Sequence, residues 1–537
     1  MPLIQNLGSE RNLVEENITV TEQKERLKVQ DLKVRFFTSK GIVKAIDNLS
    51  FSIREGESYG LVGESGSGKS VTATAVMDLI PDPPGRIIRG KIYIDGFNIL
   101  TDLDQLAKIR IKSPTDVIIK RKKRLIKRHN YIMSGIRGDK ASMVFQEPFL
   151  SMNPVMTIGD QIKEAILLHG RVDIANSIIK RETMNAQEVS KIVDTIMAQP
   201  DTQTRNKIIV RLCGEYAIPE LAKPFTDLFE NSTDRDFIIN EVLSLVNTKK
   251  TGLNLEKLEE SKNYFLLRER ILDLNLELIG AEHSGDERTA AQLEAQIKEL
   301  KSTMRSQFLL YSIKRRFMRR FIDAPFEKFA EGRTLELLTQ VNIAGPERVM
   351  TSYPHELSGG MLQRCMIAMA FSANPQLLIA DEPTTALDVT TQAQILDLMK
   401  EVNKNYNTSI LFITHDLAVI AEMCDRVGVI YGGNLVEEAP VKEIFYNAKH
   451  PYTTGLMNAI PRAERRFEKT ARLESIPGSV PNLIDPPSGC RFHPRCKFKM
   501  DVCSEKKPKL VEIEKDHKVA CFLYSDEVEE EPREEIP

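Results

Sequence analysis

The residue types and spacing best suited to chemistry lie in one short stretch, Gly63-Glu64-Ser65-Gly66-Ser67-Gly68-Lys69-Ser70, which fits G-x-x-x-x-G-K-[ST]. Glycines at this spacing let the backbone curl until successive N–H groups face one centre. The start of a following helix adds positive potential there. A phosphate chain is the ligand that such a cradle suits. The Lys69 ammonium can reach β- and γ-phosphates, and the Ser70 hydroxyl can ligate Mg²⁺. The flanks agree with this use: Tyr59-Gly60-Leu61-Val62 reads as a strand and Val71 to Leu79 as a helix. The stretch points to a nucleoside triphosphate without saying what its energy is for.

Further reactive groups stand at consistent offsets. Leu377-Leu378-Ile379-Ala380-Asp381-Glu382 is an apolar strand ending in two carboxylates. Asp381 can hold Mg²⁺ through water, and Glu382 can orient and polarise an attacking water. Gln146, at another strand end, is placed to touch both the metal ion and that water. His415 follows a strand ending at Thr414 and can sense the γ-phosphate. Leu357-Ser358-Gly359-Gly360-Met361 opens a helix with a capping serine and exposed glycine N–H groups, which makes a second anion site. One chain does not need two such sites for one γ-phosphate. Two domains facing each other, each lending this loop to the other's nucleotide, resolve the excess. Ala386-Leu387-Asp388 would lie at the same interface.

The elements that must position these groups alternate in type. Leu27 to Phe37 alternates apolar and polar residues, as an edge strand does, and Ala45 to Ile53 and Lys91 to Ile94 read as further strands. Ala141–Phe145, Gln376–Ala380 and Ser409–Thr414 read as strands, and Thr157–His169, Met361–Phe371 and Thr390–Val402 as helices. Strands interleaved with helices mean an α/β sheet. The 537 residues leave room for about three domains. A formal net charge of −2 argues against a protein that is basic overall. No run of 18 apolar residues is present, which argues against a membrane span. The first residues lack the basic and apolar regions of a secretory signal, so a cytosolic chain is expected.

Two stretches break the α/β pattern. Lys108 to Arg128 is basic, with Lys120-Arg121-Lys122-Lys123-Arg124 at its centre. It fits a solvated helix face or a loop, contact with anionic lipid, or contact with nucleic acid. From about 170 to 330 the chain is rich in charge and helix formers. Leu267, Ile271, Leu274 and Leu278, and then Leu293, Ile297, Leu300 and Met304, are each spaced four, three, four. Both sets make an apolar seam, and His283-Ser284-Gly285-Asp286 between them predicts an antiparallel helical hairpin. Residues 1–25 read as a frayed polar start, 450–526 as a separate Pro- and Cys-rich module, and 527–537 as an acidic disordered tail.

With these residues in hand, the chain resembles the nucleotide-binding subunits of ABC transporters. The resemblance makes Gly63–Ser70 the Walker A loop, Gln146 the Q-loop, Leu357–Met361 the signature, Asp381 the Walker B aspartate, Glu382 the catalytic glutamate, Ala386–Asp388 the D-loop and His415 the switch. It covers 25–165 and 335–460. It implies a P-loop NTPase (RecA-like) core with an antiparallel β-subdomain and an α-helical subdomain carrying the signature, and a head-to-tail ATP sandwich with Mg²⁺. On this reading 26–169 and 331–449 are the two parts of the nucleotide-binding domain. A basic insertion lies at about 101–135 and a helical insertion at 170–330. Ser142–Pro148, Ser151-Met152-Asn153-Pro154, Tyr353–Met361, His450-Pro451-Tyr452-Thr453, Pro487–Phe492, Pro494-Arg495-Cys496 and Cys503 are similar to the oligopeptide/dipeptide permease branch.

That branch implies an ATPase subunit that powers peptide uptake, peripheral on the cytoplasmic face of the cell membrane. Its partners would be two polytopic permease subunits and a second, homologous ATPase, with an extracytoplasmic binding protein delivering peptide; no nucleic acid is expected. Import of nickel or another small solute, and a soluble ABC ATPase acting on ribosomes or nucleic acid, are the rival readings. The single Walker A and single signature, together with the late cysteines, weigh against the second. The insertions put the docking geometry in doubt and leave the ATP chemistry untouched. The nucleotide base needs an aromatic platform from the β-subdomain; Phe36 and Phe37 lie where the family's A-loop should be, and since one of them faces the core in an alternating strand, either one or neither is the platform. Cys490, Cys496, Cys503 and Cys521 are spaced C-x5-C-x6-C-x17-C, without the close pair usual for zinc. They can carry a 4Fe-4S cluster, as members of the branch do, hold zinc, or stay unliganded. His493, among them, is read as structural.

Overall fold

In the computed structural model of the chain, residues 24–100, 107–113, 116–199, 201–216, 218, 221–250, 255–385, 387–459 and 476–529 are described. The expectations for residues 1–23, 101–106 and 530–537, and for Ala386, lie outside them. The described residues fall in two units, one within 23–148 and 374–537, the other within 149–373. The helix opened by Ser358 therefore groups with the long helical region and not with the strands.

The first unit holds an eight-stranded sheet. Its parallel strands run in the order Ala141–Val144, Leu377–Asp381, Ser409–Ile413, Ser58–Val62, Arg426–Tyr431. Every residue of these strands is buried, which is why they read as near-continuous apolar runs. Asn434–Pro440, His517–Val519 and Val511–Glu514 extend the sheet antiparallel. A second, antiparallel sheet of four strands is ordered Gly41–Arg54, Glu25–Thr38, Gly85–Ile94, Phe97–Asn98.

The basic run does not form one helix face or one loop. It divides into a two-stranded hairpin, Ala107–Ser113 with Asp116–Arg121, and a helix, Lys123–Ile136. The β-branched residues Ile109, Ile111, Val117 and Ile119 recur among the lysines and arginines, and their strand preference outweighs the charge pattern.

The second unit is helical. Helices Ala186–Met197, Thr202–Glu215, Ala222–Asn231 and Arg235–Lys249 enclose a core that includes Val189, Val193, Ile209, Phe225 and Val242. Leu255–Ser284 and Glu287–Ile322 are the long helices on either side of Gly285. Leu274, Leu278, Leu293 and Ile297 pack in one cluster between them, and Leu267 meets Phe308 and Tyr311 in another. At the base of this pair Arg171 bonds Asp323 at 3.0 Å, both buried, with the guanidinium over the Phe265 and Phe326 rings. Among the described residues, no helix is long and apolar enough to cross a membrane.

Candidate active site

Val144, Val62, Asp381 and Ile413 each end a parallel strand. The residues that follow, Gln146, Gly63, Glu382 and His415, therefore emerge along one edge of the sheet. In an open α/β sheet, ligands bind at this edge.

The loop from Gly63 is built around its backbone. Gly68 has φ +109° and caps the helix Lys69–Val76; a Cβ there would stand 2.8 Å from the Ala45 carbonyl oxygen. Lys69 is buried, and its ammonium donates to the carbonyl oxygens of Gly63 at 2.7 Å and Glu64 at 3.0 Å. Burial lowers its pKa, while Glu382, Asp381 and Glu64 act in the opposite sense. Ser67 Oγ is buried without a hydrogen-bond partner among the described residues, an orphan that an anion oxygen would satisfy.

Ser70 Oγ donates to Asp381 Oδ1 at 3.1 Å, so the two expected Mg²⁺ ligands already touch. Burial pushes the Asp381 carboxyl up to about 6, against the Ser70 hydrogen bond. A buried carboxylate short of positive charge suits a cation.

Glu382 is the centre of the side-chain network. Gln146 Nε2 donates to its Oε2 at 3.1 Å, Thr385 Oγ1 donates to the same oxygen at 2.9 Å, and His415 Nδ1 lies 3.1 Å from Oε1. Burial alone would raise this carboxyl, but the bonds from His415 and Thr385 bring it below its ordinary value. Its backbone sits at φ +47°, which a non-glycine residue adopts at a cost, and its N–H is held by the Ile413 carbonyl at 2.8 Å. Thr385 is the member of this network that sequence reasoning missed; a threonine carries no signal of its own.

The ABC transporter family model matches residues 46–212 and 275–385, and that of the oligopeptide/dipeptide transporter C-terminal region matches 436–503. A probable peptide ABC transporter ATP-binding protein of Sinorhizobium fredii is 31% identical over 92% of this chain and 94% of its own. The oligopeptide transport ATP-binding protein AppD of Bacillus subtilis is 32% identical over 93% and 97%. The OppD protein of Escherichia coli is 31% identical over 92% of each chain. The chain belongs to the ABC transporter ATP-binding proteins of the oligopeptide/dipeptide type. As an ABC ATPase it binds ATP with Mg²⁺ and hydrolyses it.

The remaining expected residues of this ABC ATPase have local roles of their own. Ser358 caps the helix Gly359–Phe371, its Oγ accepting from the Met361 N–H at 3.3 Å. Ser358 and Gly359 are exposed, and Gly360 and Met361 are half-buried. Asp388 is exposed and caps the helix Val389–Tyr406 by accepting from the Thr391 N–H at 3.0 Å. Phe36 and Phe37 follow a register shift between Val34 and Phe36 and pair with Val43 and Ile42; both are half-buried.

Cys490, Cys496, Cys503 and Cys521 line one small pocket with Phe492, Phe498 and other apolar side chains. All four are free thiols. Among the described residues no three of their sulfurs lie within 4.8 Å of one another. The Phe498 N–H donates to Cys496 Sγ at 3.4 Å, and the N–H groups of Phe492 and Leu523 serve Cys490 and Cys521 in the same i+2 pattern. Burial pushes Cys490 up to about 12 and Cys521 to about 11. Four soft donors thus line this pocket, three of them with a backbone N–H directed at sulfur. His493 donates its Nδ1 hydrogen to the Cys490 carbonyl at 2.9 Å, a structural bond.

Proposed function

We propose that this chain is the ATP-hydrolysing subunit of an importer of oligopeptides or dipeptides. It would sit under two permease subunits on the cytoplasmic face of the membrane and pair with a homologous ATPase. The observation that carries the reading is the convergence of Gln146, Thr385 and His415 on Glu382, beside a loop whose buried lysine is held by the backbone carbonyls of Gly63 and Glu64. The peptide-transport names of its relatives support the substrate class.

In this reading Lys69 exchanges the Gly63 and Glu64 carbonyls for β- and γ-phosphate oxygens. Gly63–Gly68 supply N–H donors. Ser70, Asp381 and Gln146 would hold Mg²⁺, which would supply charge neutralisation on the phosphates. Glu382 accepts a hydrogen bond from the attacking water, with His415 and Gln146 fixing its two oxygens. Catalysis is then positioning and electrostatics. Ser358, Gly359, Gly360, Met361 and Asp388 serve the facing subunit's nucleotide, and Phe36 or Phe37 stacks on adenine. The four cysteines would hold a 4Fe-4S cluster. The domain limits at 26–169, 170–330, 331–449 and 450–526 belong to the same reading.

The test is to purify the assembled complex, identify its partners and measure ATPase stimulation. Co-purification with polytopic subunits and stimulation by short peptides is the expected result. Stimulation by nickel instead, or co-purification with RNA, would overturn the substrate assignment.

A further inference from the structure

Glu64 is an awkward residue for a phosphate loop. It places a negative charge beside the lysine that must receive a triphosphate, and that carboxylate acts on Lys69 electrostatically. Among the described residues, Lys69 nevertheless bonds only the Gly63 and Glu64 carbonyls. The carboxylate is engaged elsewhere, by the cysteine-bearing module. Arg495, next to Cys496, grips it with both ends of the guanidinium, Nη1 to Oε2 at 2.6 Å and Nη2 to Oε1 at 3.0 Å. The grip is itself fixed. Arg495 Nε donates to the Pro477 carbonyl at 2.8 Å, and the guanidinium lies over the Tyr431 ring. The Glu64 N–H donates to the buried Tyr452 hydroxyl at 2.9 Å, so side chain and peptide are both held.

We propose that Arg495 is a positioning residue for ATP binding: by fixing and neutralising the Glu64 carboxylate, it keeps Lys69 available to the triphosphate. The proposal rests on the nucleotide-site reading above. A bidentate arginine–carboxylate pair has the geometry and strength for this, and a lysine gives only part of it. Without Arg495, Glu64 is free to pair with Lys69 and competes with ATP for it. A second arginine of the module holds the loop from behind. Arg491 donates to the Gly432 carbonyl and to Asp47, and the adjacent Gly433 N–H bonds the Ser67 carbonyl at 2.8 Å.

The experiment uses the full chain assembled with its partner subunits, with MgATP as the probe and iron and sulfide content measured on each preparation. Arg495→Ala should raise KM for ATP about tenfold with kcat within about twofold of wild type. Adding Glu64→Gln should bring KM most of the way back, because the competing charge is gone. Arg495→Lys should fall between. A role in packing the module alone would not be reversed by Glu64→Gln, so a KM rise that the second substitution leaves in place overturns the proposal. An unchanged KM in Arg495→Ala with a normal wild type also overturns it. A wild type without ATP turnover overturns the site reading, and the clamp with it.

Discussion

His415 Nδ1 lies 3.1 Å from Glu382 Oε1, while Gln146 and Thr385 occupy the other oxygen of the same carboxylate. Glu382 is thus fixed at both oxygens by residues from separate strand ends, on a backbone held at positive φ. Local strain of this kind persists only where surrounding bonds over-determine it.

His415→Ala removes the group on Oε1 and leaves the phosphate loop intact. The expected result is a fall in kcat of about 10²-fold with KM for ATP little changed. Steady-state ATPase kinetics check this. A raised KM with intact kcat would instead place His415 in ground-state binding.

Ser70→Ala deletes the hydroxyl that donates to Asp381 at 3.1 Å. The Mg²⁺ concentration for half-maximal ATPase activity should rise about tenfold or more. A Mg²⁺ titration at saturating ATP measures it, and an unchanged midpoint would remove Ser70 from the metal site.

Asp47 is buried under Arg35 at 2.6 Å, Arg491 at 2.9 Å and Lys507 at 3.6 Å. Burial alone would raise its carboxyl, but Lys507, Arg491 and Arg35 hold it well below the usual carboxylate range. A depressed folded-state value means that the unfolded chain binds the proton first. The stabilisation is therefore full at neutral pH and is lost as pH falls below about 4, the ordinary carboxylate value. Asp47→Asn should cost about 3 kcal/mol at pH 7. The gap in melting temperature between variant and wild type should narrow as the pH is lowered through this window.

Much of the site was legible in the sequence because its parts are short and local. Gly63–Ser70 is one contiguous loop, and Asp381-Glu382 ends a strand whose apolar run announces its burial. Leu274, Leu278, Leu293 and Ile297 announce the helix pair by their period. The Arg495–Glu64 pair was not legible, since 431 residues separate two charges that have no motif in common. The basic run was misread because charge was weighed ahead of the β-branched residues between the charges.

The central claim is that Glu382 polarises the attacking water in an ATPase that drives transport. Single-turnover hydrolysis by the assembled complex carrying Glu382→Gln tests it most directly. The account predicts that ATP still binds, stays bound and holds the ATPase pair closed, while hydrolysis falls by about 10²-fold or more. Hydrolysis at the wild-type rate in that variant would contradict it.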